Sequence, residues 1–147
     1  MTQRVLTVED LRVTLPVPTG KLRAVQGVSF HVDRGETLCI VGESGCGKSL
    51  TALAIMGLLP AHAERAAARL DLEGQSLTNL PERTMSDIRG NRMAMIFQEP
   101  MTSLNPAYSI GDQLSEVLRR HKRVSYRDAR NRTVELLEHQ CCLPTSV

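Results

Sequence analysis

The sequence predicts an α/β domain, and three observations carry that expectation. Two short, continuous apolar runs, TLCIV at 37–41 and MAMIF at 93–97, have the length and composition of strands buried on both faces of a sheet. A stretch with helical apolar spacing, 48–59, directly follows the first run. The front third instead alternates apolar and polar residues, so an antiparallel element is expected beside a parallel core.

In the front third, residues 5–8 and 11–15 alternate, and Pro16, Pro18 and Gly20 then mark a turn. Residues 22–32 (LRAVQGVSFHV) read as a further extended stretch, closed by Asp33-Arg34-Gly35. The apolar run at 37–41 ends on Gly42. The helix expected at 48–59 carries Leu50, Leu53, Ala54 and Met56 and stops at Pro60. Residues 61–68 read equally as a loop or a frayed helix. Residues 69–72 followed by Gly74 read as strand and turn, and 80–90 as a short helix. The run at 93–97 leads into the polar, proline-containing QEPMTSLNP. Two helices are expected after it. One spans 110–120 with Ile110, Leu114, Val117 and Leu118 on one side. The other spans 125–139, opened by Ser125-x-x-Asp128 at capping-box spacing.

A length of 147 residues points to one domain, and 41% hydrophobic with 23% charged residues is enough for a real core. Aromatic residues are 3% of the chain, so packing falls to Leu, Ile, Val and Ala. The net charge of +2 selects no class of partner. No run approaches the ~18 apolar residues of a membrane span. The opening MTQRVLTVEDL lacks the apolar segment of a secretory signal, so the chain is expected to stay in the cytosol. Cysteines 39, 46, 141 and 142 have neither CxxC spacing nor metal-like spacing with the histidines, and are expected as free thiols. Cys39 is expected in the core. Cys46, beside a helix start and a lysine, is expected to be open to alkylation.

Gly42-Glu43-Ser44-Gly45-Cys46-Gly47-Lys48-Ser49 fits G-x-x-x-x-G-K-[ST] at every position. Glycines at 42, 45 and 47 let the chain bend so that successive backbone N–H groups point inward at an anion. The following helix presents free N–H groups and a partial positive charge. Lys48 adds a full charge for β- and γ-phosphates, and the Ser49 hydroxyl suits Mg²⁺, a hard cation that prefers oxygen. A chance match in a chain of this length is roughly a 0.5% event. The loop is therefore assigned to the phosphates of a nucleotide.

The motif does not by itself separate kinases, GTPases, helicases and transport ATPases. The stretch TGKLRAVQGVSFHVDRGETLCIVGESGCGKSLTALAIMGLLP resembles the nucleotide-binding subunits of ABC transporters. MAMIFQEPMTSLNPAYSIGDQL resembles the branch serving oligopeptide, dipeptide and nickel importers. The likeness runs from about Val5 to about Glu138. It implies a P-loop NTPase core with an N-terminal antiparallel β element, at 1–97, and the start of a helical subdomain, at 98–147. It also implies ATP and Mg²⁺ as cofactors, with Gln98 as the glutamine that reaches the metal beside Ser49. Implied partners are transmembrane permease subunits and a second ATP-binding subunit, with no nucleic acid. The implied location is peripheral, at the cytoplasmic face of the cell membrane.

The family's hydrolytic parts are a Gly-Gly-containing signature loop, an apolar strand ending in Asp-Glu, and a later histidine. No Gly-Gly occurs here, and none of Glu99, Asp112, Glu116, Asp128, Glu135 or Glu138 follows an apolar strand. His121 and His139 lie in charged helical stretches. No catalytic residue is assigned, and the chain is expected to be the N-terminal, truncated part of such a subunit. The alternative is a binding-only or inert fragment with no hydrolysis of its own. The ending HQCCLPTSV departs from the family at Cys141-Cys142, which a frameshift, a premature stop or a shortened gene model would each explain. The family's adenine-stacking aromatic falls near Thr19, yet residues 1–29 contain no Phe, Tyr or Trp, so base selectivity is expected to be poor.

Arg119, Arg120, Lys122, Arg123, Arg127, Arg130 and Arg132 crowd a stretch whose single acid is Asp128. A solvated face of a helix pair is the expected reading, with attraction to anionic lipid headgroups as the alternative. Nucleic acid ranks below both, since no aromatics are interleaved.

Overall fold

A computed structural model of the chain describes residues 3–98 and 104–140. It divides into two units, Met1–Ser86 and Asp87–Val147. The structure is mixed α/β, as expected, but its sheet is antiparallel.

The first unit is built on a long hairpin, β1 (Arg4–Val17) and β2 (Gly20–Asp33), joined by the two residues Pro18 and Thr19. The two alternating stretches expected at 5–8 and 11–15 are one strand with a bulge. Val8 pairs with Phe30 and Leu11 with Val28, so β1 holds one extra residue there. Asp10 takes a left-handed backbone, φ 50°, and its N–H donates to Ser29 Oγ at 2.9 Å. The extra residue restores the phase of the side chains, and Val8, Leu11 and Val13 all point into the core.

Helix α1 (Lys48–Met56) follows the glycine-rich loop. It ends at Gly57 rather than at Pro60. Gly57 adopts φ 65°, with its N–H on Ala54 O and the Leu58 N–H on Leu53 O, which closes the helix without the proline. Strands β3 (Glu64–Ala66), β4 (Arg69–Leu72) and β5 (Gln75–Ser76) complete the sheet in the order β2-β1-β4-β5, with β3 also paired to β1. The stretch 61–68 is thus neither loop nor helix throughout: the free edge of β1 at residues 12–14 recruits 64–66. Leu70, Leu72 and Leu77 join Val8, Leu11, Val13 and Val25 in the core, with Ala54 and Met56 from α1. Helix α2 (Glu82–Ile88) leads into the second unit.

The strands expected at 37–41 and 93–97 are not formed. A strand needs partners for its N–H and C=O groups, and one buried on both faces also needs cover on each side. Among the described residues no ladder flanks either run; only a single bridge joins Arg89 and Met93. Their apolar side chains therefore meet solvent: Val41 is 91% exposed and Ile96 is 96% exposed. Cys39, expected in the core, is exposed for the same reason.

In the second unit, α3 (Ile110–Lys122) and α4 (Tyr126–Gln140) form a helical hairpin. Ser109 caps α3, accepting from the Asp112 N–H at 3.1 Å. Ser125 caps α4 in the expected way, accepting from Asp128 N–H at 3.2 Å and donating to Asp128 Oδ2 at 2.6 Å. Small residues make the contact: Ser115, Ala129 and Thr133 are buried, and the two hydroxyls bond at 3.2 Å. Of the apolar side expected on α3, Ile110 and Val117 remain exposed.

Candidate functional site

Residues 42–49 form a tight turn that delivers the chain into α1. The Cys46 N–H donates to Glu43 O at 3.3 Å, and Gly45 and Gly47 take φ values of 82° and 94°. L side chains rarely adopt such angles, so glycine is needed at both. Gly47 is also crowded: a Cβ there would lie 2.6 Å from Ala24 O. Ala24 is itself a bulged residue. Val25 pairs with Val13 and Arg23 with Thr14, which skips Ala24 and leaves its carbonyl beside the loop. Packing against the β1–β2 hairpin therefore sets where the loop sits.

Gly47 is the N-cap of α1 and offers no side-chain cap, and no acid lies in the first turn. The first amides of α1 are thus left for an anion. Lys48 turns back over the loop. Its Nζ donates to Gly42 O and Glu43 O, each at 2.7 Å, and lies 3.5 Å from Cys46 Sγ. A full positive charge is thereby held over the loop by two of its backbone carbonyls. Thr51, one turn on, is buried and spends its hydroxyl on Gly47 O at 3.0 Å. It fixes the helix start and is not free to bind a ligand.

A cleft of about 310 Å³ opens beside Lys48. Its walls include Val25 and Val28 from β2, Val41, and the loop residues Cys46, Gly47 and Lys48. No aromatic side chain lines it. Glu43, Ser44 and Ser49 are exposed. Among the described residues, no group of three or more His, Cys, Asp or Glu could hold a metal. Mg²⁺ in a phosphate site does not need one: it takes one or two protein oxygens and completes its shell with phosphate and water. The Ser49 hydroxyl suits that role. Gln98 belongs to the second unit and is exposed, and it follows no strand, contrary to expectation.

One residue that sequence reasoning passed over supports this site. Arg65 on β3 donates to Ala54 O at 2.7 Å, in the last turn of α1, and to Leu77 O and Thr78 O at 3.0 and 2.9 Å. Partial burial lowers its pKa from the usual arginine value. The only signal in the sequence is a cation set among the alanines of AERAAAR, which also holds Arg69.

Comparison with known proteins gives this loop its context. A profile described as ABC transporter matches residues 25–142, well over half of the chain. The chain belongs to the ABC transporter family. The match supports an ATP-binding role for this ABC-family segment. The chain is similar to an oligopeptide transport ATP-binding protein, OppD, of Bacillus subtilis (strain 168), at 47% identity over 92% of this chain and 38% of that protein. It is similar to a dipeptide transport ATP-binding protein, DppD, of the same organism, at 46% identity over 92% of this chain and 41% of that one. The OppD protein of Escherichia coli (strain K12) is 47% identical over 90% of this chain and 39% of its own length. The ABC-family chain thus spans about two fifths of the length of these curated relatives. No helix among its described residues is long and apolar enough to cross a membrane.

Proposed function

We propose that this chain binds Mg·ATP through residues 42–49, as part of the nucleotide-binding subunit of an importer for peptides or similar solutes. The observation that carries the reading is the Lys48 ammonium, held over a turn whose Gly45 and Gly47 backbones are left-handed, at the start of a helix with no side-chain cap. Backbone amides of the loop and the first turn of α1 would hold the phosphates, and Lys48 would exchange a loop carbonyl for a phosphate oxygen. Bound Mg²⁺ would neutralise charge on the β- and γ-phosphates, with Ser49 and Gln98 as its protein oxygens. The relatives are named as transport ATP-binding proteins, and the rest of the setting is proposed along with that role. That setting comprises permease subunits in the membrane, a second ATP-binding subunit, and a peripheral place at the cytoplasmic face.

A second reading, ATP binding without hydrolysis, is favoured by one observation. Among the described residues, the apolar runs at 37–41 and 93–97 lack the strand neighbours that would bury them and position catalytic groups at their ends.

The test is calorimetry with Mg·ATP on the 147-residue chain and on Lys48→Ala. Loss of a charge-assisted contact should weaken binding about tenfold or more. Equal affinities would reject phosphate binding at this loop. Ser49→Ala should weaken binding only when Mg²⁺ is present.

A further inference from the structure

The tip of the α3–α4 hairpin combines charge and exposed apolar surface in a way the nucleotide site does not use. α3 ends at Lys122 and is capped by Arg123, whose backbone is left-handed at φ 53°, and α4 begins at Tyr126. The turn between them projects Val124, 38% exposed, and Tyr126, 51% exposed. Cations surround them. Three members of the basic stretch are engaged within the unit: Arg120 pairs with Asp87, Arg132 with Glu135, and Arg119 lies 5.7 Å over the Tyr126 ring. Four are not. Lys122, Arg123, Arg127 and Arg130 are exposed, with no side-chain hydrogen bond or ion pair among the described residues. The one nearby acid, Asp128, is occupied by the Ser125 cap.

We infer that this tip docks on an anionic lipid bilayer surface, Val124 and Tyr126 entering the headgroup region while Lys122, Arg123, Arg127 and Arg130 meet the lipid charges. The chemistry fits on both counts. Basic side chains are drawn to an anionic leaflet, and a tyrosine with an apolar body and a polar end is suited to the membrane interface. The shape also discriminates. A helical hairpin tip is convex, whereas single-stranded nucleic acid is held in grooves with several stacked aromatics, and Tyr126 is one ring already covered by Arg119. The inference does not rest on ATP binding.

The test is co-sedimentation of the full chain, without nucleotide, with vesicles of phosphatidylcholine alone or of phosphatidylcholine with phosphatidylglycerol. Partition is expected on the anionic vesicles only, and should fall as salt rises. Each basic residue near the surface contributes about fivefold, so Arg123→Glu with Arg127→Glu should weaken partition well over tenfold. Val124→Ser with Tyr126→Ser should weaken it with the charge unchanged. The control, Arg23→Glu with Arg34→Glu, makes the same change in net charge on the first unit and should leave partition as it was. Circular dichroism of each variant should match the parent chain, and Ser substitutions leave the Ser125 cap intact. Equal partition on neutral vesicles, equal loss in the control, or release from vesicles by duplex DNA at lower charge concentration than the lipid would each overturn the inference.

Discussion

The Arg65 guanidinium donates to the Ala54 carbonyl at 2.7 Å, tying β3 to the last turn of the helix that starts at the phosphate loop. Ala54 O already accepts the Gly57 N–H, so the guanidinium takes its second lone pair and places a cation at the negative end of the helix dipole. The same guanidinium holds Leu77 O and Thr78 O. The helix is therefore fixed at its far end by Arg65, and at its near end by Gly47 packed on Ala24.

Replacing Arg65 by Met should thus destabilise the first unit although it lies outside the loop. Three part-buried carbonyls would lose a charged donor, a change of about 1.5–3 kcal/mol for hydrogen bonds of this kind. Urea unfolding monitored by circular dichroism measures it. Arg65→Lys should recover part of the loss, because an ammonium can reach one or two of the carbonyls but not span all three. Coincident unfolding curves for parent and Met variant would show that the contact contributes nothing.

Gly45 and Gly47 allow strain and close contact to be separated. Both are left-handed, at φ 82° and 94°, so alanine at either costs about 1–2 kcal/mol. Only at Gly47 does the new Cβ also meet backbone, Ala24 O at 2.6 Å, while at Gly45 nothing lies within 4 Å. Gly47→Ala should therefore destabilise the chain more than Gly45→Ala, and should displace the loop from β2 and abolish phosphate binding. Equal unfolding midpoints for the two variants would mean that Ala24 yields without cost.

These two residues also show what was legible in the sequence. The loop could be read in full because its geometry is set by glycines and a lysine at fixed offsets, which is local information. The caps at Ser125 and the hairpin around Pro18 were readable for the same reason. Arg65 was not, because its partners lie at 54, 77 and 78 and depend on how β3 docks on β1. The bulge at Asp10 was hidden too: it looked like a break between two strands, since a single extra residue shifts the alternation. The runs at 37–41 and 93–97 failed for the opposite reason. Their composition reports what a segment would bury, and says nothing of whether a neighbour exists to bury it.

Base selectivity should be low. The cleft beside Lys48 has valine walls and no aromatic, and residues 1–29 contain none. Without a stacking ring, recognition rests on phosphates, which ATP and GTP share. Competition calorimetry should place the two within about tenfold, a gap of ~1.4 kcal/mol. A far larger preference for ATP would require a base-binding group elsewhere in the chain.

The 147-residue chain should bind nucleotide without turning it over. In the proposed role, loop amides, Lys48 and a metal at Ser49 would grip phosphates in substrate and transition state alike, and uniform binding does not accelerate the chemical step. Transfer to water also needs a positioned base and charge stabilisation that grows as the bond breaks. Among the described residues, no acid sits at the end of a buried strand beside the loop, where such a base would be held rigidly. The exposed runs at 37–41 and 93–97 carry a further consequence. Val41 and Ile96 lie almost fully in solvent on unpaired backbone, which invites association between copies, so the soluble fraction should fall with concentration. Steady-state phosphate release is the measurement, with Lys48→Ala prepared in parallel to expose contaminating ATPases. Release at the same low rate from both proteins is the expected result. Multiple turnovers present in the parent and absent in Lys48→Ala would show that a catalytic group lies within these residues.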